Sequence, residues 1–216
     1  AVVPVEPTRM ATCRGFLNSL ECEQLQELAR PNLHPSKVVH DGKIPGRTSW
    51  SCLLSRRQSI VRLVISRAAL LVNLPPEHAE PVQCVRYLPG QEYKTHHDFF
   101  DPDGPSYNEK MGRAGNRIAS VFVYLCDVVS GGETAFPLLD YSFSPVKGNA
   151  VTWFNMQRDG SLDQRTLHAG KPILQGEKWG MNIWFRERPY IPLGSHMEEA
   201  TNHDAQTHSE PAAKSP

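Results

Sequence analysis

The chain has 216 residues, of which 39% are hydrophobic and 21% charged, a balance that describes one globular domain with a sizeable core and excludes a disordered or fibrous chain. Its 23 basic and 23 acidic side chains cancel, and no basic block of nucleic-acid type is present, which argues against a nucleic-acid or membrane-surface partner. Wholly apolar runs, such as 68–72, are too short to span a bilayer.

Residues 1–12 are punctuated by proline and read as an extended lead-in, and Ala1-Val-Val-Pro4 lacks the pattern of a secretory leader. A helix is predicted over 18–30. Asn18 can cap it, Glu21 falls at the third helical position to complete a capping box, and Pro31 stops further growth. Leu25, Leu28 and Ala29 give it an apolar stripe at helical spacing. The stretch 38–54 is β-like, with turns at Asp41-Gly42-Lys43 and Pro45-Gly46. The run from Ser55 to Gln58 has the form of a second capping box, ahead of a helix rich in Ile, Val and Leu that continues through Val72 and must stop before Pro75-Pro76. Such an apolar helix is expected to brace a sheet rather than lie on the surface.

From Val82 onward short apolar runs alternate with turn residues, at 82–88, 117–126, 149–155 and 179–185. Many short strands after a helical start predict a β-sandwich or barrel with helices packed on one side. Residues 99–116 form a long polar loop, a length that is usually functional. The five cysteines make neither a CxxC pair nor a zinc spacing, and most are expected to be buried free thiols.

The chemistry concentrates around His96-His97-Asp98. On an extended strand His96 and Asp98 share one face and His97 points to the other. An imidazole and a carboxylate side by side, joined by a second histidine, would leave half of an octahedron open, which suits a ferrous ion that also binds a cosubstrate and dioxygen. His168, where a turn feeds a strand, is the candidate for that second histidine. Lys178, ten residues later, is a cation suited to a dicarboxylate cosubstrate. On the strand that follows, Lys178, Asn182 and Trp184 share one face, and Ile183 and Phe185 occupy the other. Taken singly, His96 is more often a polar surface residue and Lys178 a solvated lysine. Their joint pattern carries the reading.

That pattern resembles the prolyl 4-hydroxylases, within the iron- and 2-oxoglutarate-dependent dioxygenases. The matching positions are Arg86, Tyr87, Gly90, Gln91, Tyr93, His96 and Asp98; Arg117, Tyr124 and Leu125; the turn from Gly131 to Pro137; and His168, Gly170, Pro172, Gly176, Lys178 and Trp179. Glu21-Cys22 and Arg47-Thr48-Ser49 fit the helical N-terminal part of plant and algal members, so the resemblance spans about residues 13–188. It implies an α+β chain with a double-stranded β-helix, or jelly-roll, core and N-terminal helices packed on one sheet. It makes His96, Asp98 and His168 the iron ligands, and Lys178 the donor to the distal carboxylate of 2-oxoglutarate. Tyr87 and Thr134 would add hydroxyl donors, Trp184 would wall the pocket, and Tyr93 and Arg117 would face a peptide substrate. The implied reaction consumes O2 and 2-oxoglutarate, releases succinate and CO2, and places a hydroxyl on C4 of a prolyl residue in a protein or peptide. L-Ascorbate would keep the iron ferrous. The segment 137–147 is shorter than in many plant members and closer to the animal collagen-modifying branch.

Two other readings stand beside this one. The same iron chemistry could act on free proline or another side chain, or a degenerate jelly roll could serve as a binding module; the complete triad and Lys178 argue against the latter. A nucleic-acid demethylase of the same superfamily would carry arginines after the last histidine and a basic groove. The dioxygenase domain is expected over 1–190 and a polar tail over 191–216. Within the tail, Gly194-Ser195-His196-Met197 has the pattern of a cleaved expression tag. Pro211 and Pro216 make the tail a candidate tethered peptide. The resemblance points to the endoplasmic reticulum and secretory pathway, with the cytoplasm as the alternative.

Overall fold

The alternation read at 82–88, 117–126, 149–155 and 179–185 becomes the middle of one large antiparallel sheet. In the computed structural model, which describes residues 1–5, 8–36 and 46–190, the chain begins with β1 (Val2–Val5), β2 (Met10–Cys13), α1 (Ser19–Ala29), β3 (His34–Pro35), β4 (Trp50–Leu54) and α2 (Ser59–Val72). Next come β5 (Val82–Tyr87), β6 (Tyr93–His96), α3 (Tyr107–Met111), β7 (Arg117–Tyr124), β8 (Ser130–Gly131), β9 (Thr134–Phe136) and β10 (Tyr141–Phe143). β11 (Ala150–Phe154), β12 (His168–Gly170), β13 (Ile173–Gln175) and β14 (Lys178–Arg186) complete it. Eight strands form the large sheet in the order β1-β2-β11-β7-β14-β5-β4-β3, four form a second sheet in the order β10-β9-β12-β6, and β8 and β13 pair as a ribbon.

Side-chain parity divides the large sheet between two cores. Cys84, Val121, Val123, Met181, Ile183 and Phe185 point to one face, where Leu25, Val61, Val64 and Ala68 of the two helices cover them. Val85, Tyr87, Phe122, Tyr124, Val151 and Trp153 point to the other, against Phe136, Phe143 and Ile173 from the second sheet and the ribbon. Because successive residues of a strand alternate in direction, one apolar strand can serve both layers. The result is the jelly roll with helices on one sheet that the sequence predicts, and the strand face turned away from the helices is free to line a cavity.

α1 forms as read: the Asn18 side chain accepts from the Glu21 amide at 2.8 Å, and Glu21 accepts from the Asn18 amide at 2.9 Å. α2 braces the sheet as expected, and its end is set by Asn73 in the left-handed conformation. Its start differs. Ser55 accepts from the Arg57 amide within a turn, and the helix begins only at Ser59, behind Gln58, which makes no side-chain cap. The lead-in is more regular than expected, since β1 and β2 pair from Val2↔Cys13 to Val5↔Met10 and β2 extends the sheet beside β11. The loop 99–116 carries the one-turn helix α3. The turn at 41–43 and the tail 191–216 lie outside the described residues. All five cysteines are free thiols, with Cys22, Cys52 and Cys84 buried. Among the described residues, no helix is long and apolar enough to cross a membrane.

Candidate active site

Two strands far apart in sequence bring the histidines together. β12 pairs with β6 so that His168 stands opposite His96, and the two rings lie 4.2 Å apart between centroids. Asp98 sits just past the end of β6, yet its carboxylate turns back to the same point. Its Oδ1 is 3.8 Å from Nε2 of His96 and 3.8 Å from Nε2 of His168. The three candidate ligand atoms all lie within 4.8 Å of one another, the only such cluster among the described residues.

Each member of the trio is aimed by a second contact. Nδ1 of His96 lies 2.8 Å from the Lys94 carbonyl, and Nδ1 of His168 lies 2.9 Å from the Thr166 carbonyl. A carbonyl only accepts, so both protons sit on Nδ1 and both Nε2 lone pairs face the common point. Ser120 donates to Asp98 Oδ2 at 2.6 Å, leaving Oδ1 free, and Asn155 donates to the Ser120 hydroxyl at 3.0 Å. Tyr93 stacks on His96 at 3.6 Å, and Trp153 and Phe136 pack on His168. Burial, with His168 adding to it, pushes the His96 pKa down to about 3. Burial also lowers that of His168. The Asp98 carboxyl resists its own burial and stays below the usual carboxylate range because the two imidazoles and Arg117 favour its anion. The trio is thus poised as two neutral imidazoles and one carboxylate, the state that binds a cation. His97 stands apart, with Nε2 3.0 Å from the Gln164 carbonyl and its ring on Phe99.

Beside the trio lies a narrow cavity lined by Tyr87, Tyr93, His96, Phe122, Thr134, Trp153, His168, Lys178, Asn182 and Trp184. The parity of β14 places Lys178, Asn182 and Trp184 there together, as the sequence predicts. Lys178 is 3% exposed, and no carboxylate among the described residues lies within ion-pair distance of it. Its Nζ donates to the Gly132 carbonyl at 2.7 Å and faces the rings of Phe122, Tyr124 and Tyr87 at 4.9, 5.5 and 5.8 Å. Burial pulls its pKa down to about 7. Tyr124 donates to the Thr134 hydroxyl at 2.8 Å, so the Thr134 proton remains available to the cavity. The indole Nε1 atoms of Trp153 and Trp184 are buried without a partner.

Residues 82–186 match the 2OG-Fe(II) oxygenase superfamily. Prolyl 4-hydroxylase 1 of Arabidopsis thaliana is 37% identical over 201 residues, covering 83% of this chain and 69% of that one. Prolyl 4-hydroxylase 2 of the same plant is 33% identical over 215 residues, covering 87% and 70%. The chain belongs to the prolyl 4-hydroxylase family. Among solved structures, the viral collagen prolyl hydroxylase vCPH from Paramecium Bursaria Chlorella virus-1, in its 2OG complex, aligns with a TM-score of 0.67 at 28% identity, over 84% of this chain and 97% of that one.

Iron and 2-oxoglutarate are the cofactors of this prolyl 4-hydroxylase-family chain, and the site fits both. Two nitrogens and one hard oxygen gathered within 4.8 Å are the donor set that would hold a non-haem ferrous ion. A buried lysine without a carboxylate partner among the described residues is a complement to an oxygen-rich anion.

Ser120 and Glu80 shape the site but carried no motif, whereas Arg117 and Arg47 did. Ser120 is visible only as a lone hydroxyl in an apolar strand. Arg117 is expected to face the peptide; its guanidinium grips Glu80 through two bonds of 2.7 and 2.8 Å and lies 3.8 Å over the Trp184 ring. Glu80 itself, although 9% exposed, keeps its carboxyl below the usual range because Arg117 and Arg186 outweigh the effect of burial. Arg47 is brought beside β6 by an isolated bridge to Tyr93 and stacks over that ring at 4.8 Å.

Proposed function

We propose that this chain hydroxylates C4 of prolyl residues in a peptide, with His96, Asp98 and His168 holding the iron and Lys178 holding 2-oxoglutarate. The observation that carries the reading is the meeting of three donor atoms beside a cavity whose only buried lysine lacks a carboxylate partner. Family membership and 28% identity to a viral collagen prolyl hydroxylase support a proline-containing peptide as substrate.

Bound iron and 2-oxoglutarate supply, with dioxygen, the power to convert a C–H bond to C–O–H, with succinate and CO2 released. The chain's part is placement. Lys178, with Thr134 and Tyr87 as hydroxyl donors, takes the distal carboxylate, and this fixes which end of the keto acid faces the metal trio. Hydrogen bonds from Ser120 and to the Lys94 and Thr166 carbonyls hold the three donor atoms toward one point beside the cavity, where they would hold the iron. Phe122, Trp153 and Trp184 exclude bulk water from the reacting centre. Tyr93, which stacks on His96, and Arg117, which lies over Trp184, meet the peptide in this reading. Ascorbate serves as the reductant in cycles that run without peptide.

The test is incubation with Fe(II), 2-oxoglutarate and a proline-rich peptide. One oxygen gained on proline, with one succinate released per oxygen, is expected. Oxygen appearing only on free proline or on another residue would transfer the reading to a different substrate, and no succinate release would end it.

A further inference from the structure

The segment that leaves the metal trio, 99–116, receives more hydrogen bonds from Arg186 than from any other side chain beyond it, and no motif singled that residue out. Arg186, the last residue of β14, is 5% exposed and uses its whole guanidinium. Nε donates to the Gly115 carbonyl at 2.8 Å, and Nη2 donates to the carbonyls of Lys110 and Met111 at 2.6 and 2.8 Å. Nη1 donates to Glu80 Oε1 at 3.0 Å. Glu80 in turn holds Arg117, whose Nη1 is a long 3.4 Å from the Asp98 carbonyl. The Phe100 ring lies under both guanidiniums, 4.8 Å from Arg186 and 5.1 Å from Arg117.

The backbone is arranged to let this happen. Asn116 closes the neck of the segment by accepting from the Phe100 amide at 2.8 Å and donating to its carbonyl at 2.9 Å. Glu187 and Arg188 donate from their amides to the carbonyls of Asn116 and Ala114 at 3.0 and 2.9 Å. Gly115 has φ +80°, and a Cβ there would collide with the Glu187 side chain, so glycine is what lets the segment pass close to the end of β14.

We infer that Arg186 is a positioning residue: it latches 107–115 onto the end of β14 and, through Glu80, sets Arg117 beside Trp184 and Asp98 for the incoming peptide. This rests on the proposed peptide hydroxylation. Three carbonyls, one carboxylate and one aromatic ring depend on a single fork of donors, which no other side-chain type can supply at once. The latch touches neither the metal trio nor Lys178 directly, so its loss should be felt by the peptide and not by the cosubstrate.

The experiment compares the parent with Arg186→Met and Arg186→Lys in steady-state kinetics and in amide exchange. For Arg186→Met, the peptide KM is expected to rise about tenfold or more while the 2-oxoglutarate KM stays within about twofold. Exchange of the Lys110, Gly112 and Gly115 amides, which close the α3 turn, should accelerate about a hundredfold. Arg186→Lys, which keeps the charge but loses the fork, should fall between. Peptide and 2-oxoglutarate KM rising together would make Arg186 a general prop and overturn the inference, as would parental exchange in either variant. If the methionine variant does not fold, the lysine variant must still show the peptide-specific rise. Loss of protection in an enzyme that hydroxylates no peptide would remove the functional reading alone; parental protection with normal turnover would remove the latch alone.

Discussion

Lys178 should make cosubstrate affinity depend on pH in a defined direction. Without a ligand it is enclosed by Tyr87, Phe122 and Tyr124, with the Gly132 carbonyl its only hydrogen-bond partner among the described residues, and burial brings its pKa to about 7. A dicarboxylate binds the charged form. At pH 6 roughly nine lysines in ten already carry the proton, whereas at pH 8 roughly one in eleven does. Affinity should therefore be flat below pH 7 and fall toward a limit of about tenfold, or ~1.4 kcal/mol, per pH unit above it. Neighbouring groups do not mimic this. His96 is held to about 3, His168 lies below its ordinary value, and Asp98 stays ionised. Cys126 and Glu133 only nudge the lysine upward. Calorimetry under anaerobic conditions with Mn(II) in place of iron, in buffers of different ionisation enthalpy, would count the protons. About one should be taken up at pH 8 and almost none at pH 6. Lys178→Arg, whose cation does not titrate in this range, should flatten the profile even if it binds more weakly. Constant affinity across the range, or no proton uptake at pH 8, would refute the assignment of a largely neutral lysine.

The same group bears on stability in the ligand-free state. Its folded pKa lies below its unfolded value, so the unfolded chain binds more protons between about pH 7 and 10, and stability should rise with pH there by at most about 1.4 kcal/mol per unit. Urea titrations across that window should show the rise, and saturating 2-oxoglutarate should erase it. Ser120→Ala removes the 2.6 Å bond to Asp98 Oδ2 and is expected to weaken metal binding by about 10- to 100-fold, read by competition with a chelator. His96→Ala should abolish turnover and His97→Ala should leave much of it, since His97 is bonded to Gln164 and not to the trio. Gly180→Ala would drive a methyl into the Phe122 ring at the cavity wall and should cost about 1–3 kcal/mol in denaturant titrations, together with cosubstrate affinity.

What the sequence disclosed depends on how local the cause is. Asn18 and Glu21 cap a helix with contacts three residues apart, so the start of α1 could be read directly. The alternation of β14 was equally readable, and with it the shared face of Lys178, Asn182 and Trp184. His96, Asp98 and His168 stood out through combined spacing, and their convergence was implied by a resemblance rather than by any local rule. Ser55 misled because serine four residues ahead of a helix can equally bond within a turn, and packing of α2 on the sheet decided where the helix began. β2 was read only as extended because its place in the sheet depends on β11, more than a hundred residues away. Glu80, Arg117 and Arg186 come from three separate strands or loops, and nothing near any of them announces the other two.

The pairing of His168 against His96 has a consequence for how the protein matures. Strand register moves in whole residues, and a slip of one would turn an imidazole to the opposite side of its sheet. On the proposed ligand set, the full trio exists only once β12 has paired with β6 in register, so tight iron uptake would report that assembly is finished.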